Sequence, residues 1–419
     1  MQQKKVRELL SALVNLVSIA EIVTVLPESN APRVAFKMKF DTWVLFCDQD
    51  KKNQFEDTVE RFWHAKHEIY TTFSKKIIQE KNNGFISDCI QGDKVVNETD
   101  INHFFRELIE IPTEEWEVFR PLYGAELETQ DKLELGSFTV WNLVHHQSLL
   151  IAKYPQLLED WKFIREALES QSSGNLVVSV RVVARDGERA EELADERFRQ
   201  FEHVMRYMIA DTSGEFDIWI FDYRNPTLFR CMVLSPTRAR QGNRVKDRHT
   251  PIKIDAPFFR EARADHTWIW NALTQPNPNE LQKRILAAVE WIGKGMRDRD
   301  RDPAKAFVQF IIAIEALLTF REQGTIVSPS IASQLAEFSA YIVGDDFDSR
   351  LEVEKSVKKL YARRSAVAHG GSQSVLESEV IEALKLVRNL IKRITTNSEL
   401  SAMTSMRQLQ EWVLRKKYT

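Results

Sequence analysis

The chain has 419 residues, of which 43% are hydrophobic and 28% charged, with a net charge of −3. That length accommodates two or three domains with cores of their own, and the composition excludes a disordered chain. The small net charge excludes a globally basic nucleic-acid binder, and the three cysteines (Cys47, Cys89, Cys231) are too far apart for a CxxC metal or redox pair.

The first segment, MQQKKVRELLSALVNLVSIAEIVTVLP, places Leu9, Leu13, Leu16, Ala20 and Val23 at helical spacing. Glu8 and Glu21 interrupt its apolar character, so the spacing predicts an amphipathic core helix rather than a secretory signal. No stretch reaches the roughly 18 uninterrupted apolar residues of a membrane span, and a cytoplasmic protein without membrane contact is expected. Arg33–Asp48 alternates as a strand does. Phe55–Glu80 reads as one helix, acidic at its start and lysine-bearing at its close. Leu133–Leu143 is a candidate strand, Val144–Leu168 a helix, and Glu169–Asn175 a linker of small polar residues.

A strand over Leu176–Ala184 and a helix over Glu188–Ala210 follow. Phe216–Leu234 reads as two strands joined at Asn225–Pro226. The next stretch, Thr237–Lys253, reads as a loop carrying Arg238, Arg240, Arg244, Lys246, Arg248 and Lys253 against only Asp247. Such a run is usually solvated, and its alternative role is to track a nucleic-acid backbone. Pro276–Asn279 marks a boundary, beyond which helices are predicted at 280–296, 303–321, 329–343, 350–369, 376–396 and 399–416. The fold class is therefore α+β. A mixed α/β region (1–170) precedes a small α/β module with the basic loop (175–275), and an all-α helical bundle (280–419) closes the chain.

Chemistry concentrates in that bundle. The helix Pro303–Phe320 is apolar nearly all round, yet Glu315 sits near its middle, where a carboxylate is costly unless it is paired. Two helices on, Val353, Val357, Leu360 and Val367 form an inward stripe, and Arg364 interrupts it. One inward acid and one inward arginine in one bundle predict a Glu315–Arg364 contact. His369 lies about 140° around the axis from Arg364 in a continuous helix. Gly370 and Gly371 follow at once, so the imidazole falls where the helix stops, within reach of the arginine. His64, His67 and Glu68 lack a further spaced ligand, and neighbours such as His145 and His146 point apart on a helix; no metal or other cofactor is expected. No phosphate-cradling loop, dinucleotide fingerprint or Ser-His-Asp pattern is present.

The blocks AIEALL (Ala313–Leu318), IASQLAEF (Ile331–Phe338) and LYARRSAVAHGG (Leu360–Gly371), with ILAAVEW (Ile285–Trp291), occur in an order that resembles the HEPN superfamily, in its Apea-like branch. The resemblance spans roughly Glu280 to Arg393 and leaves well over half the chain outside it. It implies a helical bundle that forms a homodimer and acts as a metal-independent endoribonuclease on an RNA substrate, with Arg364 and His369 as the motif pair. Supporting roles fall to Glu315, to Tyr361 and to Ser365, which stands where the superfamily often carries Asn, Asp or His. Arg363 is close enough to give the alternative motif arginine. The resemblance further implies a role in bacterial antiviral defence, such as abortive infection, or in a toxin system. A phage-derived trigger or an antitoxin would then be the partner. The alternative is a non-catalytic HEPN scaffold that dimerises and binds RNA or a partner protein.

Overall fold

The structure is a computed structural model that describes residues 2–26, 33–37, 42–91, 95–129, 131–155, 176–210, 217–220, 229–234, 239–244, 251–255, 264–320, 330–368 and 374–418. It is of the α+β class and divides into two compact units, one formed by 1–118 with 181–196 and the other by 119–180 with 197–419. These boundaries cut across the three regions read from composition, because the chain returns to the first unit after leaving it.

In the first unit, α1 (Gln3–Ile19) buries Val6, Leu9, Leu13 and Leu16, so the predicted stripe holds through Leu16, whereas Ala20 ends the helix and Val23 belongs to the strand that follows. The strands β1 (Glu21–Val23), β2 (Arg33–Lys37) and β3 (Trp43–Cys47) form an antiparallel sheet in the order β1-β3-β2. The single helix expected over Phe55–Glu80 is in fact α2 (Gln49–Trp63), α3 (His67–Thr72) and α4 (Lys75–Gln91). Helical geometry explains the break. Phe62, Ile69 and Phe73 share a face, but Ile78 would point about 140° away from Phe73 in an uninterrupted helix. Ser74 accepts a hydrogen bond from the Ile77 backbone and restarts the chain, and all four apolar residues are buried. The Trp63 indole donates to the Phe73 carbonyl at 2.8 Å and fixes the corner. Next, α5 (Glu98–Glu110) opens with an Asn97/Asp100 capping box. The Arg185 guanidinium donates to the carbonyls of Leu108, Ile109 and Ile111 at its end.

The strands β4 (Glu114–Pro121), β6 (Leu133–Leu135), β7 (Phe138–Asn142) and β8 (Leu176–Ala184) pair in the order β4-β8-β7-β6. The one strand expected over Leu133–Leu143 folds back at Gly136, whose φ of +61° favours glycine in a two-residue turn. The helix expected over Val144–Leu168 is described as α6 (Leu143–Lys153), and residues 156–175 lie outside the described residues. The long helix α7 (Gly187–Ile209) follows β8 as predicted. The turn expected at Asn225–Pro226 also lies outside the described residues. The hairpin found here pairs β9 (Phe229–Leu234) with β10 (Ala239–Arg244), register Phe229 to Arg244 and Leu234 to Ala239. The supposed basic loop therefore contains a strand, and it ends in β11 (Ile252–Lys253), which runs parallel to β5 (Ala125–Glu126). Loop reading failed there because arginine-rich β10 carries no apolar alternation.

From Ala264 onward every described element is helical. The helices are α8 (Ala264–Thr274), α9 (Glu280–Asp298), α10 (Pro303–Leu318), α11 (Ile331–Val343), α12 (Phe347–Ala368), α13 (Glu377–Thr396), α14 (Ser398–Ser401) and α15 (Met406–Tyr418). Asp302 caps α10 and Pro303 occupies its first turn. Its buried residues Phe307, Phe310, Ile311, Ile314, Leu317 and Leu318 put it at the centre of the bundle. Close approach to α9 depends on Gly295, where an added Cβ would lie 2.3 Å from the Phe310 ring. Gly293 serves α7 likewise, with His203 only 2.6 Å from where a Cβ would stand.

Candidate active site

Helices α10 and α12 bring the sequence-predicted pair together. Arg364 Nη2 lies 3.4 Å from Glu315 Oε2, with the side chains 26% and 21% exposed, so the pair sits at the edge of the core. Val357 and Leu360 are buried on the same α12 stripe, which turns Arg364 toward α10. Tyr361, one turn before Arg364, stands near enough to the Glu315 carboxylate for each to shift the other's titration, and the Arg364 guanidinium stands 6.0 Å from its ring centroid. Glu315 thus has two side chains of α12 beside it.

The electrostatics follow from burial. Loss of water pushes the Glu315 carboxyl above the usual carboxylate range, and Arg364 and the Tyr361 phenol only partly offset this. Burial raises the Tyr361 phenol as well, and the adjacent carboxylate adds to that. Arginine is the least satisfied member. Its hydrogen bond to Glu315 at 3.4 Å is longer than a charge-assisted one of about 2.8 Å, and among the described residues its buried Nε has no partner.

The neighbouring Arg363 is committed elsewhere. It donates from Nη2 to the Ser374 carbonyl at 3.0 Å and stands with Nε 3.3 Å from Glu379 Oε1. Of the two candidate motif arginines, only Arg364 faces Glu315. Ser365 is half-buried on α12. His369, Gly370 and Gly371 lie outside the described residues; Ala368 is the last described residue of α12, so the imidazole belongs to the residue after that point.

Arg238, Lys246 and Arg248 lie outside the described residues, Arg240 and Arg244 occupy β10, and Lys253 forms an ion pair with Glu128. His64 is engaged by Glu60 at 2.8 Å and stacks on Tyr70 at 4.2 Å, while Glu68 bonds to Arg185, which disperses the suggested ligand trio. Sequence reading missed the proximity of Tyr361 to Glu315. The signal available was the three-residue spacing of Tyr361 and Arg364, which puts a hydroxyl beside whatever the arginine meets.

Comparison of the chain with protein-family models, with curated proteins and with solved structures returned no match.

Proposed function

We propose that this chain is a metal-independent endoribonuclease resembling the HEPN superfamily, in which Arg364 and His369 act on one phosphodiester of RNA. The observation that supports this reading is the placement of Arg364: a half-buried guanidinium on α12 turned toward α10 and held, among the described residues, by one long contact to Glu315. RNA supplies its own nucleophile. His369 accepts the proton of a ribose 2′-hydroxyl as that oxygen bonds to phosphorus, the bond from phosphorus to the 5′ oxygen breaks, and the imidazolium so formed returns its proton to the departing oxygen. The products are a 2′,3′-cyclic phosphate and a 5′-hydroxyl. A guanidinium forks onto phosphate oxygens as their negative charge grows, and Arg364 takes that role here. Glu315 orients it. In its ionised form the carboxylate fixes the guanidinium, and in its protonated form it releases it.

The wider reading is an effector in bacterial antiviral defence or a toxin system, working in the cytoplasm as a homodimer, restrained by residues 1–275 or an antitoxin and released by a phage-derived trigger. Among the described residues no helix is long and apolar enough to cross a membrane. Ser365, a poor acid or base near neutral pH, favours the second reading: a scaffold that dimerises and binds RNA or a partner protein without cutting. Expression in a bacterial host separates the two. Growth arrest by wild type, relieved by both Arg364→Ala and His369→Ala, supports cleavage; equal growth of all three chains excludes it.

A further inference from the structure

The face that α1 and α2 share in the first unit carries an inference of its own. Glu21 pairs with Lys51, and the Asn15 amide donates to Gln54 Oε1 at 2.8 Å, so the two helices run antiparallel. Arg61 then comes level with the first two turns of α1. An open groove of about 760 Å³ lies along this face, and Lys4, Arg7, Glu8, Ser11, Asn15 and Arg61 line it. Arg7 is engaged by Glu98 at 2.8 Å. The side chains of Lys4 and Arg61 are exposed and have no hydrogen-bond or ion-pair partner among the described residues. Of the groove's lining residues only Glu8 is acidic. Two uncommitted cations thus share a groove with hydroxyl and amide groups, a lining suited to phosphate oxygens.

Aromatic rings stand one turn on. His64 follows Arg61 by three residues, which puts their Cβ atoms about 5–6 Å apart on α2. Its ring stacks on Tyr70 of α3, with centroids 4.2 Å apart and planes 29° from parallel. Both residues are exposed, Tyr70 by 37%. Behind Tyr70 lie the Trp63 ring at 4.9 Å and the Arg189 guanidinium at 5.7 Å, and the Trp63 indole is tied to the Phe73 carbonyl. The corner is held from within, which leaves the His64–Tyr70 pair on its solvent side as a fixed aromatic surface.

Cations and rings side by side divide as the parts of a nucleotide do. An acidic peptide would use the cations and leave the rings idle, and an apolar ligand would do the reverse. The extent of the groove favours a strand over a lone nucleotide, since α1 rises about 16 Å from Lys4 to Asn15. We propose that this face binds single-stranded nucleic acid: phosphates run along the α1–α2 groove on Lys4 and Arg61, and a base stacks on the His64–Tyr70 pair. Only the choice of RNA as the strand rests on the ribonuclease reading.

The test follows the fluorescence anisotropy of a labelled strand with the full chain at several salt concentrations. The strands are 2′-O-methyl RNA and DNA of one mixed sequence, neither of which has the 2′-hydroxyl that cleavage needs. In the double variant Lys4→Gln/Arg61→Gln, loss of two phosphate contacts at about 0.7 each lowers the slope of log K against log salt by about 1.4. Tyr70→Leu weakens binding by about 5- to 150-fold at an unchanged slope, which corresponds to the loss of one stacked base at about 1–3 kcal/mol. His64→Gln keeps a group that can bond to Glu60, shifts affinity in the same direction, and stands in for Tyr70→Leu should that variant not fold. An unchanged slope in the double variant overturns the proposal, as does unchanged affinity in both ring variants. A strand displaced as well by adenosine monophosphate or polyglutamate as by unlabelled strand overturns it too. Tighter binding of the RNA strand assigns RNA as the ligand, and equal binding of the two upholds the site for either. Both signatures in a chain that cuts no RNA uphold this site and remove the ribonuclease reading; cutting with neither signature overturns this site alone.

Discussion

Acid should destabilise the second unit through His203. This histidine packs against Gly293 of α9, its Nδ1 is buried without a partner, and its pKa is lowered to about 3. Burial is the main cause, with Arg206, Lys294 and Arg297 adding repulsion against a protonated ring. In the unfolded chain the same group titrates near 6.5. Below that value the unfolded chain takes up a proton that the folded one refuses, so stability is full above about pH 6.5 and declines as pH falls toward 3. The slope in that window approaches 1.4 kcal/mol per pH unit. Between about pH 7 and pH 5 the loss from this residue alone comes to about 2 kcal/mol. Urea unfolding at the two pH values measures it, with His203→Leu as the control because leucine removes the titrating group and the unpaired nitrogen together. The variant should lose about 2 kcal/mol less than wild type over that interval. Equal losses in the two chains would show that His203 is solvated in the folded state, and the packing of α7 on α9 derived from it would be wrong.

Other outcomes follow from the same bundle. Gly295→Ala places a Cβ 2.3 Å from the Phe310 ring and should cost about 1–3 kcal/mol in urea unfolding; an unchanged midpoint would mean that α9 and α10 are farther apart. Glu315 has the opposite sign to His203. Its raised pKa means the folded state binds the proton better, so its contribution is present at low pH and is lost as pH rises through the folded value. Glu315→Gln should therefore be at least as stable as wild type near pH 7, with the difference closing toward about pH 4; a clear loss of stability at neutral pH would show that the Arg364 attraction outweighs burial. Ser74→Ala removes the cap that restarts α4 and should cost about 1 kcal/mol, read as a lowered urea midpoint.

Periodicity made much of the fold legible. The stripes of α1, α9, α10 and α13 are continuous, and those helices lie close to where the sequence places them. Glu315 and Arg364 were legible for the same reason, each being a polar interruption of an apolar face, and the structure sets them 3.4 Å apart. Failures came where a corner preserves the apolar count. Phe73 to Ile78 looks continuous until the angle between them is worked out, and Leu133–Leu143 looks like one strand until Gly136 is given its positive φ. The unit boundary was invisible for a different reason. Residues 181–196 return to the first unit, and no local composition marks a return. Arg363 was ambiguous in sequence because its role depends on where α13 begins, which only the Ser374 and Glu379 contacts reveal.

Incubating the purified chain with mixed RNAs in excess chelator, then mapping the fragment ends, tests the proposed chemistry most directly. Fragments ending in 2′,3′-cyclic phosphate and beginning with 5′-hydroxyl, absent with Arg364→Ala and with His369→Ala, are the expected result. Intact RNA, cleavage that requires a divalent cation, or variants that cut as wild type does would contradict it.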